Sequence, residues 1–113
     1  MKMFISLSVN HPVDFVVRDL PAHIRPGKGT TKLLTRHAAY LSNKVREITD
    51  RMANMPYSDS DRQTVAQMLK YATCMRDLVN RMVSHQFPND TFDRMHTEYL
   101  ECRDKYHEAE SRL

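Results

Sequence analysis

The stretch RPGKGTTK at residues 25–32 combines residue types that bind phosphate groups: glycine for close backbone approach, lysine for charge and threonine for its hydroxyl. It contains the only two glycines of the chain. A nucleotide-binding loop has the pattern G-x-x-x-x-G-K-[ST]. If Gly27 and Lys28 were its final Gly-Lys pair, the first glycine would fall at Ala22 and the hydroxyl residue at Gly29. The spacing therefore excludes a nucleotide-binding loop.

A simpler anion contact remains open for the same stretch. Free N–H groups at the start of a helix attract anions, and Arg25, Lys28 and Lys32 would lie beside them. The alternative is structural, because glycines can loosen a connector while Thr30 or Thr31 caps the first helix. The sequence does not decide between these two interpretations.

Cations recur along the first predicted helix with a spacing of seven. His37, Lys44 and Arg51 share one edge of it, and Arg36 lies nearby on the outer face. A row of this kind spans about 20 Å and could follow a phosphate backbone, with strongly salt-dependent binding. The alternative is a solvated flank that faces the third helix, where residues 90–113 hold seven acids and four bases.

Residues that could carry catalysis or bind a metal do not form a recognisable pattern. The six histidines are scattered, and the chain has no His-x-x-x-His or Cys-x-x-Cys pair. His96, Cys102 and His107 share one helix, but their spacings do not converge on one ion. No serine lies in the strand–turn–helix setting that activates a nucleophile. We therefore expect a non-enzymatic protein without catalytic residues, cofactor or metal.

The elements that position these residues belong to one domain, because the chain has only 113 residues. A composition with two glycines and no tryptophan favours a helical class over a turn-rich β fold. The apolar run at residues 3–9 is broken by serines, so it fits neither a signal peptide nor a membrane span. We expect a cytoplasmic protein without a membrane partner, in which Cys74 and Cys102 remain thiols.

The charge is unevenly distributed along the chain. Residues 1–57 carry nine Lys and Arg against four Asp and Glu, a balance of +5, whereas residues 58–113 carry eight against ten, a balance of −2. This asymmetry allows an acidic protein or a nucleic acid as a partner on one side of the molecule.

From Thr30 onward, apolar residues repeat at alternating spacings of three and four, which is typical of helices with one buried stripe. Pro56 and Pro88 interrupt the pattern, and Ser60 with Gln63 matches a capping box. The sequence therefore predicts helices at about 31–54, 60–85 and 90–113. Connections this short favour a mainly α fold, an antiparallel three-helix bundle that resembles a coiled coil. The three stripes are Leu34, Ala38, Leu41, Val45, Ile48 and Met52; Val65, Met68, Ala72, Met75, Val79 and Met82; and Phe92, Met95, Tyr99, Cys102, Tyr106, Ala109 and Leu113.

Residues 1–29 have a different pattern, which predicts a strand-like arm followed by a basic connector. Apolar and polar residues alternate on both sides of the turn at residues 10–12, as in a short β-hairpin. An isolated two-stranded hairpin is marginal in water, so it would have to pack on the helices or on a partner. A helix or a disordered arm stays an alternative for this region.

The second helix carries apolar residues beside its main stripe. Flanking apolar positions contact the third helix in a bundle, and otherwise they form a partner surface or a self-association seam. Aromatic residues in the two loops could extend such a surface. The candidates are Leu69, Tyr71, Leu78 and Val83 on the helix, with Tyr57 and Phe87 in the loops.

These patterns favour a small regulatory or inhibitory protein that binds another protein through its helical faces and N-terminal arm. The alternative is a nucleic-acid-binding protein that contacts phosphates through the first helix and the connector. A third hypothesis joins the two, since a basic protein can inhibit a nucleic-acid-processing enzyme by occupying its channel. The sequence also allows a homodimer.

Overall fold

A computed structural model describes residues 15–21, 24, 27–54, 58–84 and 89–113. These residues form three α-helices: α1 is Lys28–Asn54, α2 is Asp59–Ser84 and α3 is Asn89–Glu110. The mainly α prediction is confirmed. No helix in the described part of the chain is both long and apolar enough to cross a membrane.

Most of the core consists of the three predicted apolar stripes. Every residue of the α2 stripe is buried, because two partner helices cover α2 on different sides. On α1 the stripe is buried from Leu34 to Ile48 except for the half-buried Val45, and Met52 is also half-buried. On α3 the stripe is buried apart from Cys102, which is half-buried, and Leu113, which is 48% exposed.

The helix ends differ from the predicted ones for local reasons. The backbone N–H and the hydroxyl of Thr31 both donate to the Gly27 carbonyl, so α1 already begins at Lys28. The cap of α2 is Ser58 rather than Ser60, since the Ser58 hydroxyl accepts a hydrogen bond from the Asp61 N–H at 3.1 Å. At the other end of the chain, α3 stops at Glu110 and the last three residues form a turn.

The central helix α2 packs against both α1 and α3, which gives an elongated molecule of 53 × 21 × 20 Å. Side-chain contacts define an antiparallel register between α2 and α3. Cys74 faces Cys102, and Lys105 lies over the ring of Tyr71, one turn further along. Residues of α2 and α3 therefore meet in opposite numerical order along their interface.

The N-terminal segment, residues 15–21 with Ile24, contacts both outer helices and completes the core. Val17, Leu20 and Ile24 are buried with the helix stripes. The Tyr40 hydroxyl on α1 donates to the Val16 carbonyl, and the Tyr106 hydroxyl on α3 donates to the Phe15 carbonyl. The described part of the predicted arm contains no strand. The rest of the predicted hairpin lies outside the described residues.

Candidate functional site

An open depression of about 520 Å³ lies between α2 and α3, on the surface. We call it the α2–α3 groove. Its floor contains Tyr71, Cys74, Leu78 and Cys102, with Thr73 beside them. Tyr71 and both cysteines are half-buried, whereas Leu78 belongs to the core. The groove thus offers a weakly polar floor that is accessible from solvent.

Charged side chains form the rim of the groove, with cations and anions in equal number. The rim consists of Lys70, Asp77 and Arg81 on α2 and Glu98, Glu101 and Lys105 on α3. All six are exposed, so their charges are available to a partner. An apolar centre with a polar rim is the usual anatomy of a protein interface.

The antiparallel register orders these charges along the groove. Lys70 and Lys105 lie at one end, with their Nζ atoms 5.5 and 5.9 Å from the centroid of the Tyr71 ring. The three carboxylates follow along the middle, and Arg81 lies at the far end. The cations near Tyr71 are close enough for weak cation–π contacts, which orient the ring and the two ammonium groups.

The two cysteines form the middle of the groove floor. Their Sγ atoms lie 2.7 Å apart, and both are free thiols. Burial, supported by the hydrogen bond with Cys74, raises the pKa of the Cys102 thiol to about 12, although Lys105 acts in the opposite direction. Cys102 therefore keeps its proton at neutral pH.

The predicted partner-binding residues fall into three groups. Tyr71 and Leu78 line the groove. Leu69 and Val83 are half-buried and pack against the core, as flanking positions of a bundle do. Tyr57 and Phe87 lie outside the described residues.

The predicted cation row along α1 is not an exposed edge. His37 is 8% exposed and Lys44 is 5% exposed, because both side chains lie against the packed side of the helix. The Lys44 ammonium is 3.5 Å from Glu47, and Arg51 is half-buried. The side chains of His37 and Lys44 are therefore not exposed along the edge that the spacing of seven predicted.

Two of the predicted anion-binding residues, Lys32 and Arg36, are exposed near the start of α1. Lys32 and Arg36, one turn apart, line an open depression of about 600 Å³ together with Gly29, Thr31 and Thr35. The first turn of α1 carries no acid. Lys28 is the first residue of α1, but its side chain, like the whole of Arg25, lies outside the described residues.

The Tyr99 hydroxyl on α3 forms hydrogen bonds with both the N-terminal segment and α1. It donates to Asp19 Oδ1 at 2.9 Å, and it accepts a hydrogen bond from the Leu20 N–H at 3.3 Å. His37 Nε2 lies 3.0 Å from the same oxygen. Because the single hydroxyl proton points to Asp19, His37 must carry its proton on Nε2.

Burial and charge set the protonation of this cluster. Burial raises the pKa of Asp19, but hydrogen bonds from Arg103 and Tyr99 outweigh it, so the pKa lies below its ordinary value. Burial lowers the pKa of His37, with Asp19 and Arg18 acting in opposite directions. Burial and the neighbouring Asp19 also raise the pKa of Tyr99. At neutral pH the cluster thus contains the Asp19 carboxylate, the neutral His37 imidazole and the neutral Tyr99 phenol, which are joined by hydrogen bonds.

The sequence analysis did not predict the hydrogen bonds of the Tyr99 hydroxyl or the contact between Cys74 and Cys102. A signal for the Tyr99 bonds was present, because Tyr99 and Tyr106 occupy an apolar stripe and a buried tyrosine hydroxyl needs a partner. The meeting of Cys74 with Cys102 has no such signal, because it depends on the register between two helices.

Among the described residues, no three His, Cys, Asp or Glu side chains converge as metal ligands. Comparison with protein-family profiles, curated protein sequences and solved structures finds no match to this chain.

Proposed function

We propose that the protein is a small non-enzymatic regulator that acts by binding another protein in the α2–α3 groove. The observation that carries this proposal is the accessible, weakly polar floor bordered by an ordered set of charges. The N-terminal segment bonds to Tyr40 on α1 and to Tyr99 and Tyr106 on α3, whereas the α2–α3 groove is open to solvent.

The occupant that fits best is an amphipathic helix of the partner protein. A helix laid into a groove between two helices places its apolar face on the floor and its charged residues on the rim. Lys70 and Lys105 at the Tyr71 end of the groove favour an acidic residue of the partner helix at that end. The carboxylates along the middle call for a basic residue about two turns, or ~10 Å, further along the partner helix.

Site-specific cross-linking tests this proposal. A photoreactive group at Tyr71 is used to capture partners from a nuclease-treated native lysate, and the cross-linked peptides are identified by mass spectrometry. We expect an amphipathic helical segment of one protein with the charge order described above. The capture should be lost in the double variant Lys70→Glu, Lys105→Glu, because both contacts with the acidic residue become repulsive.

The matched control is Arg46→Glu, which reverses an exposed cation on α1 far from the groove. It should leave the cross-link unchanged. Equal capture by the groove variant and the wild type would contradict the proposed surface. A cross-link to a second copy of the chain would identify a homodimer instead of a regulatory partner.

The start of α1 supports a second candidate function, phosphate-backbone contact with a nucleic acid. Lys32 and Arg36 are exposed and line one open depression together with Gly29 and Thr31 near the start of α1. Binding to a DNA duplex should then weaken with salt, and Lys32→Glu with Arg36→Glu should abolish it. The charge-matched control is Lys70→Glu with Arg81→Glu on α2. No salt-dependent binding by the wild type would exclude this function.

A further inference from the structure

We propose that Cys74 and Cys102 form a thiol–disulfide exchange site, which reacts with a low-molecular-weight disulfide and closes into a reversible bond between α2 and α3. The two sulfur atoms lie 2.7 Å apart on facing turns of antiparallel helices. A disulfide bond is about 2.05 Å long. Bond formation therefore needs only a small movement of the two side chains.

The site is open to a small reagent. Both cysteines are half-buried and line the α2–α3 groove, which is open to solvent. Lys70 and Lys105 lie one turn from the sulfur pair, at the Tyr71 end of the groove, and they favour approach of an anionic disulfide such as oxidised glutathione from that end. Glu101, next to Cys102, acts in the opposite direction. The site does not depend on the proposed protein partner, because the reaction needs only the two thiols and the small disulfide.

The two thiols differ in a way that assigns the order of reaction. Burial keeps the proton on Cys102 at neutral pH, which makes Cys102 a poor first nucleophile and assigns the first attack to Cys74. The Cys74 thiolate attacks one sulfur of the oxidised glutathione, and the other half leaves as a thiolate that takes up a proton. Cys102 then loses its proton and attacks the Cys74 sulfur, which expels the second glutathione.

The electron balance closes without any further reagent. Two protein thiols are oxidised to one disulfide, and one glutathione disulfide is reduced to two glutathione thiols. Excess reduced glutathione reverses both steps. The bond would tie α2 to α3 across the residues between Cys74 and Cys102, which constrains the unfolded chain.

Mass spectrometry of the full chain tests this site. The reduced protein is incubated with oxidised glutathione, treated with an alkylating reagent and weighed. We expect a monomer that is lighter than the dithiol by two hydrogen atoms, takes up no alkylating reagent and is restored by dithiothreitol. Two alkylated cysteines, a persistent glutathione adduct or a disulfide-linked dimer would overturn the proposal.

Stability and single-cysteine variants complete the test. The closed form should unfold at a higher temperature than the reduced form, by something on the order of 10 °C. Cys102→Ser should accumulate one glutathione adduct on Cys74, since no second thiol resolves it. Cys74→Ser should form its adduct more slowly. An unchanged Tm on closure, or faster reaction of Cys74→Ser than of Cys102→Ser, would contradict the assigned geometry and order.

Discussion

The imidazole of His37 on α1 donates a hydrogen bond to the hydroxyl of Tyr99 on α3, across a distance of 3.0 Å. The direction follows from Asp19, because the Tyr99 hydroxyl has one proton and donates it in a hydrogen bond to the Asp19 carboxylate. One oxygen atom thus connects the two outer helices with the N-terminal segment. Because Leu20, His37 and Tyr99 are buried, their polar groups depend on the cluster for their hydrogen bonds.

Tyr99→Phe should lower the free energy of unfolding by about 1–3 kcal/mol. The change removes one hydroxyl but leaves the Leu20 N–H, the Asp19 carboxylate and the His37 imidazole without this partner. Urea unfolding followed by circular dichroism measures the loss. Tyr40→Phe is the matched control, because the Tyr40 hydroxyl also bonds the N-terminal segment but lies in an exposed setting. Equal losses in the two variants would argue against a special role of burial at Tyr99.

The stability of the protein should fall as the pH decreases below about 6.5, the ordinary pKa of histidine. Burial lowers the pKa of His37 in the folded protein, so the unfolded chain binds the proton more readily. Stability therefore rises with pH between the folded-state pKa and 6.5, and it is lost as the pH falls through that window. His37→Gln retains a donor for Tyr99 and should flatten this dependence. Equal slopes of unfolding free energy against pH in both proteins would refute the assignment to His37.

The ion pair of Asp19 and Arg103 should couple the N-terminal segment to α3. A double-mutant cycle with Asp19→Asn and Arg103→Gln should give about 0.5–1 kcal/mol, because the pair is partly exposed. The folded-state pKa of Asp19 lies below its ordinary value of 3.8. The contribution of its charge is therefore present above that value and is lost as the pH falls through the folded-state pKa. Hydrogen exchange at residues 15–20 should increase in both single variants.

The control for this cycle is the pair of Arg76 and Asp77, which are neighbours on α2. The Arg76 and Asp77 side chains are 3.0 Å apart, but the Asp77 side chain is 58% exposed and the pair lies within a single helix. Asp77→Asn should change the unfolding free energy by less than about 0.5 kcal/mol. A coupling between Asp19 and Arg103 no larger than this would mean that other contacts hold the segment.

Gly29→Ala should raise the free energy of unfolding by about 0.4–1 kcal/mol. Gly29 lies in the first turn of α1, it has no positive φ, and an added Cβ would meet no atom within 4 Å. Alanine then reduces the freedom of the unfolded chain without strain. Gly27→Ala is the control, because Gly27 precedes the helix as its N-cap, where glycine is preferred to alanine. Thermal unfolding should show a gain for the first variant and none for the second.

The helices could be predicted from the sequence because their signals are local. The stripe from Val65 to Met82 repeats at the spacing of one helical face, and all its members are buried. The ends of the helices were less predictable, since Ser58 and Ser60 both offer a capping hydroxyl and the structure shows the bond at Ser58. The burial of His37 and Lys44 could not be predicted either, because the sequence of one helix does not indicate how far its neighbours and the N-terminal segment extend around it.

The sequence by itself determined the helical class, the three core faces and the absence of a nucleotide-binding loop, because each depends on residues close together in the chain. Only the tertiary structure decided which groups meet across the bundle. The approach of Cys74 to Cys102 follows from the register between α2 and α3, and the bonds at Tyr99 follow from the docking of the N-terminal segment. If α3 were shifted by one helical turn, Cys102 would lose its contact with Cys74 and Tyr99 would lose its bond with Leu20, while every apolar stripe would stay intact.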